Sequence, residues 1–179
     1  MILQDHVEKI SIYRLLFYYI DNLVNNMSRI DYREMSLSAV IEDSNLVVEV
    51  KFIESYQEEV SIFHKEAVAG SEKFPAFIKK GDVFKVIRVL KNTGKIKVPE
   101  TIRVPNENWR RFLGQHKEQY LQAPSKSYNV PEYVSTLKTS AKASVLFLNH
   151  FQDMYEFTAC NSWESKAELE KIEMLIASE

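Results

Sequence analysis

The apolar positions fall into two periods along this chain, and each period predicts a different kind of element. Leu3, Val7, Ile10 and Phe17, together with Ile12, Leu15, Leu16, Tyr19, Ile20 and Leu23, recur at helical spacing and predict a helix over residues 2–26. Its second half is apolar on most faces, which suits a buried helix covering a sheet, or a dimerisation helix. Asn25 and Asn26 mark its stop. From there the period drops to two. Residues 35–41 and 46–53 flank the turn-like Glu42-Asp43-Ser44-Asn45 and predict a hairpin. In its second arm Val48, Val50 and Phe52 alternate with Val47, Glu49 and Lys51, as in a strand with one face buried. Residues 56–69 fit either a third strand or a short helix, and 70–75 a loop.

A second hairpin follows. Residues 83–91 are rich in β-formers, Asn92-Thr93-Gly94 offers a three-residue turn with Gly94 in the left-handed conformation, and residues 95–98 alternate again. Residues 101–104 continue the β pattern after Pro99. Asn106 then caps a central helix over 106–122, on which Trp109, Phe112, Leu113, His116, Tyr120 and Leu121 form one apolar stripe. The stripe assigns Trp109 and Phe112 to the core. Residues 125–131 read as a loop, and 143–158 as a strand pair or a helix. Asn161 and Glu164 resemble a capping box that opens a C-terminal helix running to about residue 176. The fold class expected is α+β: an antiparallel, strongly bent sheet of five to seven strands packed by N-terminal, central and C-terminal helices.

Composition narrows the class of protein. A length of 179 residues suits one domain over 1–179, in which 1–70 and 79–124 could form sub-units and 125–179 a C-terminal extension. Cys160 is the only cysteine, so no intrachain disulfide can form, and beside Ala159 it reads as a small buried hydrophobe. His6, His64, His116 and His150 are scattered without zinc spacing, and no metal is expected. The longest apolar-aromatic run near the start, Leu15 to Ile20, is bracketed by Arg14 and Asp21 and is far short of a membrane span of about 20 residues. Asp5 and Glu8 stand where a signal peptide would be basic. A cytoplasmic location without membrane contact is the expectation.

Charge changes the picture more. The net charge is −2, yet residues 79–126 hold twelve Lys/Arg against four Asp/Glu, a net of +8, between acidic flanks. Such a block attracts phosphate backbones. Lys85, Arg88, Lys91, Lys95 and Lys97 lie on or near the second hairpin, Arg103 on the strand after it, and Arg110, Arg111 and Lys117 on the central helix. Aromatic residues interleave with them, and cations beside rings are the combination used by single-strand binders. These nine residues are the candidate nucleic-acid contacts. The alternative reading of the same block is a solvated face met by the acidic flanks.

The run VFKVIRVLKNTGKIKVPETIRVPNENWRRFLGQ, within residues 79–122, resembles the strand-strand-strand-helix unit of the Pur-alpha, Whirly and transcriptional-coactivator single-stranded nucleic-acid binders. The likeness lies in lysine-rich strands that lead into a helix start of Val-Pro, three polar residues and Trp. It covers about a quarter of the chain. It implies a dimer that binds single-stranded DNA or RNA across a curved sheet, with Lys85, Arg88, Lys95, Lys97 and Arg103 as contacts. An accessory or regulatory role follows from it.

Two other classes fit parts of the chain. Asp31, then Glu49-x-Lys51 on a strand, looks like the signature of the restriction-endonuclease-like nucleases; Asp31 and Glu49 would hold Mg²⁺ and Lys51 would orient water. Alternation puts Glu49 and Lys51 on one strand face, as that chemistry needs. No glycine-rich phosphate loop, G-x-S-x-G elbow or HExxH occurs. The weight therefore leans away from an enzyme, and Mg²⁺ is the one cofactor any reading requires. The third class is an inhibitor or protein-interaction module whose acidic regions engage a protein partner.

Overall fold

The computed structural model describes residues 29–61, 75–121 and 126–178. The helix expected over 2–26 lies outside them, as do residues 62–74. In chain order the elements are β1 (Arg29–Met35), α1 (Leu37–Asp43), β2 (Leu46–Val60), β3 (Phe77–Asn92), β4 (Thr101–Pro105), α2 (Trp109–Leu121), β5 (Ser127–Tyr133), β6 (Val145–Phe151), β7 (Met154–Phe157), β8 (Trp163–Glu164) and α3 (Leu169–Ala177). The class is α+β, with a six-stranded antiparallel sheet as its frame.

The sheet order is β4-β3-β2-β6-β7, and β8 extends the β7 edge by pairing with β6. β2 and β3 are its long central ladder. Their register slips at three places, between Val47 and Val48, Glu49 and Val50, and Phe52 and Glu54. The extra residues are Leu90, Ile87 and Ile53 respectively. Each bulge bends the ladder and raises its twist. The sheet curls enough to bring its edge strands β4 and β7 within 8 Å of each other, Cα to Cα, without pairing them.

The curl explains why β2 begins as a run rather than an alternation. Leu46, Val48 and Val50 point to the inside, against Phe84, Ile102, Val104, Leu146 and Leu148. Val47 points outward, where α1 and α3 cover it with Ile41 and Ile172 beside Val145 and Phe147. Both faces of this end of the sheet are dry. Towards Val60, Ser55, Gln57 and Glu59 are exposed, while Tyr56, Glu58 and Val60 on the other face are half-buried.

Several elements differ from the sequence pattern. Residues 37–43 form a helix, because Ser36 caps it by accepting from the Ala39 amide (3.2 Å) and Val40 and Ile41 are adjacent on the face it buries. The turn expected at 42–45 is the exit of that helix. Residues 95–98 are not a strand. The Asn92 side chain bonds both the N–H and the C=O of Ile96 (3.1 and 2.8 Å) and closes a loop, so the strand partner of β3 is β4 instead. Lys95, rather than Gly94, takes the left-handed conformation (φ 49°). Residues 127–133 are a strand, paired in parallel with β1 in a separate two-stranded sheet. The 143–158 segment is a strand pair, β6 and β7.

Both helix starts also move. α2 begins at Trp109, with Asn106 in the turn before it accepting from the Trp109 amide (2.9 Å). α3 begins at Leu169, since Asn161 is left-handed (φ 57°) and Glu164 is buried in β8.

Candidate nucleic-acid interface

The nine cations singled out by the charge pattern separate into three groups. Lys85, Arg88 and Arg103 lie on the outer face of β3 and β4. Lys91 donates to the Ile41 carbonyl at the end of α1 (2.9 Å) and is structural there, while Lys95 and Lys97 sit exposed on the β3–β4 loop. Arg110, Arg111 and Lys117 lie on α2. Lys85 meets Glu100 (3.1 Å), Arg88 meets Glu49 and Glu173 (3.1 and 2.6 Å), Arg103 meets Glu58 (3.5 Å) and Arg110 meets Glu156 (2.7 Å). Arg111 donates to the Tyr32 hydroxyl (2.9 Å) and lies over the Phe112 ring. No carboxylate among the described residues pairs with Lys95, Lys97 or Lys117.

Register sets these elements' side chains on one face, exposed at Lys51, Lys85 and Arg103 and buried at Phe77, Gly81, Val83 and Pro105. Residues directly opposite in an antiparallel ladder share a face. Lys51, Lys85 and Thr101 therefore form one outward row, and Glu54, Val83 and Arg103 the next. Tyr56, Gly81 and Pro105 form a third, and Glu58 and Lys79 a fourth. The bulge at Ile53 keeps Lys51 and Glu54 on the same side although they are three residues apart.

In the third row Tyr56 lies across Gly81, which has no side chain to block it: a Cβ there would come within 2.6 Å of the ring. The Arg103 guanidinium stacks on that ring at 4.1 Å from its centroid. Burial, followed by the Glu58 charge, pushes the Tyr56 phenol up.

Glu58 ties this stack to the next row. One of its oxygens accepts from Lys79 (2.9 Å) and the other faces Arg103 (3.5 Å). Lys79 is 16% exposed, and its ammonium also lies over the Trp109 ring at 4.8 Å. Trp109 in turn donates from Nε1 to Glu156 on β7 (3.2 Å), where Arg110 makes a forked contact. A cavity of about 190 Å³ opens at this seam between β4 and β7, lined by Tyr56, Glu58, Lys79, Arg103, Met154 and Tyr155 among others.

Trp109 and Phe112 depart from the core stripe expected of them. Trp109 is half-buried at the seam, and Phe112 is 44% exposed. The charge pattern missed Tyr56, Glu58 and Lys79. Tyr56-x-Glu58 is visible in the sequence as an alternating pair, but nothing there aligns it with Lys79 and Arg103; the bulges decide that.

The residues of the nuclease pattern stand apart. Asp31 is exposed on β1, in the separate parallel ribbon, and accepts from Arg29 (3.1 Å). Glu49 is bound by Arg88, and Lys51 is exposed on the same outer face. Among the described residues no group of three or more His, Cys, Asp or Glu side chains is placed to hold a metal ion. Among the described residues no helix is long and apolar enough to cross a membrane. Comparisons with protein-family models, curated proteins and solved structures return no match to this chain.

Proposed function

We propose that the chain binds single-stranded nucleic acid across the cation-bearing face of β2, β3 and β4. The observation that carries this reading is the strand order. Counting β2, β3, β4, β6 and β7 as strands one to five, the order is three-two-one-four-five, with helix α2 between the third and fourth. Strands three and five are the neighbours across the seam. That is the order of the OB-fold, a partly open five-stranded Greek-key barrel that takes oligonucleotides and oligosaccharides on the face of its second and third strands. Here that face carries Lys51, Lys79, Lys85 and Arg103, with the outermost plane being the Arg103 guanidinium supported by Tyr56. A guanidinium plane stacks on unpaired bases of any sequence while its charge attracts the backbone. Fold order alone does not choose between nucleic acid and sugar; the cations favour nucleic acid.

The test is binding of labelled oligothymidylate and oligouridylate to the full chain at rising salt. The expected result is binding at low salt whose log K falls linearly with log salt, by about 0.7 for each phosphate neutralised. Arg103→Ala is expected to weaken it roughly tenfold, in keeping with about 1–3 kcal/mol for a lost stacking platform. An absence of binding at low salt overturns the reading.

A further inference from the structure

The cationic face contains an internal anion. Glu58 stands between Lys79 and Arg103 with one carboxylate oxygen turned to each, at 2.9 and 3.5 Å. Its neighbours make the arrangement specific. Lys79 is nearly buried, and such an ammonium needs a partner because burial penalises an unpaired charge. The Trp109 ring supplies only part of that compensation, through its π face. Arg103 also stacks on Tyr56, so Glu58 is not its only support. The cavity at the β4–β7 seam opens onto Tyr56, Glu58, Lys79 and Arg103, with Asp153 also in its lining.

We propose that Glu58 occupies the place of a backbone phosphate, so that Lys79 and Arg103 form a phosphodiester subsite that the free protein keeps closed with its own carboxylate. This rests on the single-strand reading above. A phosphodiester, like a carboxylate, presents two equivalent oxygens carrying one negative charge, and can bridge the same two cations. Glu58 is about two-fifths exposed, so it can swing into solvent when a strand arrives. Binding then exchanges one anion for another at fixed cations. The free protein thus avoids holding Lys79 and Arg103 uncompensated, and weak anions are excluded.

The experiment compares the full-length wild type with Glu58→Gln, and with Glu58→Thr as a second substitution suited to a strand. Far-UV circular dichroism confirms the fold of each. Binding of labelled oligothymidylate is read at several salt concentrations. The expected result is a five- to tenfold gain in affinity at low salt for both variants, with a salt slope steeper by about 0.7 per newly available phosphate contact. The gain is expected to disappear in Glu58→Gln combined with Lys79→Ala. Wild-type binding with no gain in either variant overturns the phosphate subsite and leaves the single-strand reading standing. No binding by wild type or variants overturns both.

Discussion

Glu164 is 1% exposed and has no basic partner among the described residues, yet it accepts from the Tyr133 hydroxyl (2.8 Å), the Thr136 hydroxyl and amide (2.7 and 3.2 Å) and the Ser165 amide (3.0 Å). Four donors let a carboxylate stay where water does not reach. Burial, with the bond to Glu164 next, pushes the Tyr133 phenol up, which keeps it a donor. Tyr133→Phe removes one donor from a buried acceptor and is expected to cost about 1–2 kcal/mol, read as a lower urea midpoint with an unchanged slope.

Glu107, in the turn before α2, makes stability depend on pH. Burial pushes its carboxyl above the usual value of 4.5, and Arg111 offsets this only in part. Between the two values the folded chain binds more protons than the unfolded one, so stability falls as pH rises through that window and stays lower above it. Glu107→Gln is therefore expected to raise the melting temperature at neutral pH, with the gain vanishing below about pH 4.5. A constant gain at all pH values would show that charge is not the cause.

At the scale of elements, the β2–β3 ladder does most to shape the molecule, and its three bulges cannot be read from alternation. Alternation assigned Val48, Val50 and Phe52 to one face correctly, and they are inside the curl. It gave no reason for Ile53 and Ile87 to be half-exposed, because a residue left over by a register slip follows from the partner strand. Gly81 shows the same dependence. Its role is to admit the Tyr56 ring and the Val104 carbonyl, which a Cβ would meet at 2.6 and 2.5 Å. Gly81→Ala is expected to cost about 1–3 kcal/mol and to displace Tyr56 from beneath Arg103, visible together as a lower melting temperature and a change in tyrosine fluorescence. α1 was read as the first arm of a hairpin because the turn-like residues 42–45 follow it; the Ser36 cap and the packing of Val40 and Ile41 on the outer core decide for helix. β5 was read as a loop because Asn129 and Pro131 suit one, and only pairing with a strand almost a hundred residues earlier makes it extended.

At the scale of the whole molecule, the α+β class and an antiparallel sheet were legible in the chain, while 143–158 stayed open between a strand pair and a helix until pairing decided it. A concentration of positive charge in residues 79–126 was legible too. These are properties of local pattern and composition, which a linear sequence carries directly. What the tertiary structure alone decided is which charges are free and which are spent on neighbours. The curl sets Arg88 against Glu173 on α3 and Arg110 against Glu156 on β7, partners 85 and 46 residues away, while it leaves Lys95 and Lys97 in solvent. It also collects Tyr56, Glu58, Lys79, Arg103 and Trp109 at one seam from four separate elements. Electrostatic attraction depends on distance and exposure, and neither exists along a sequence until bulges, register and packing have set them.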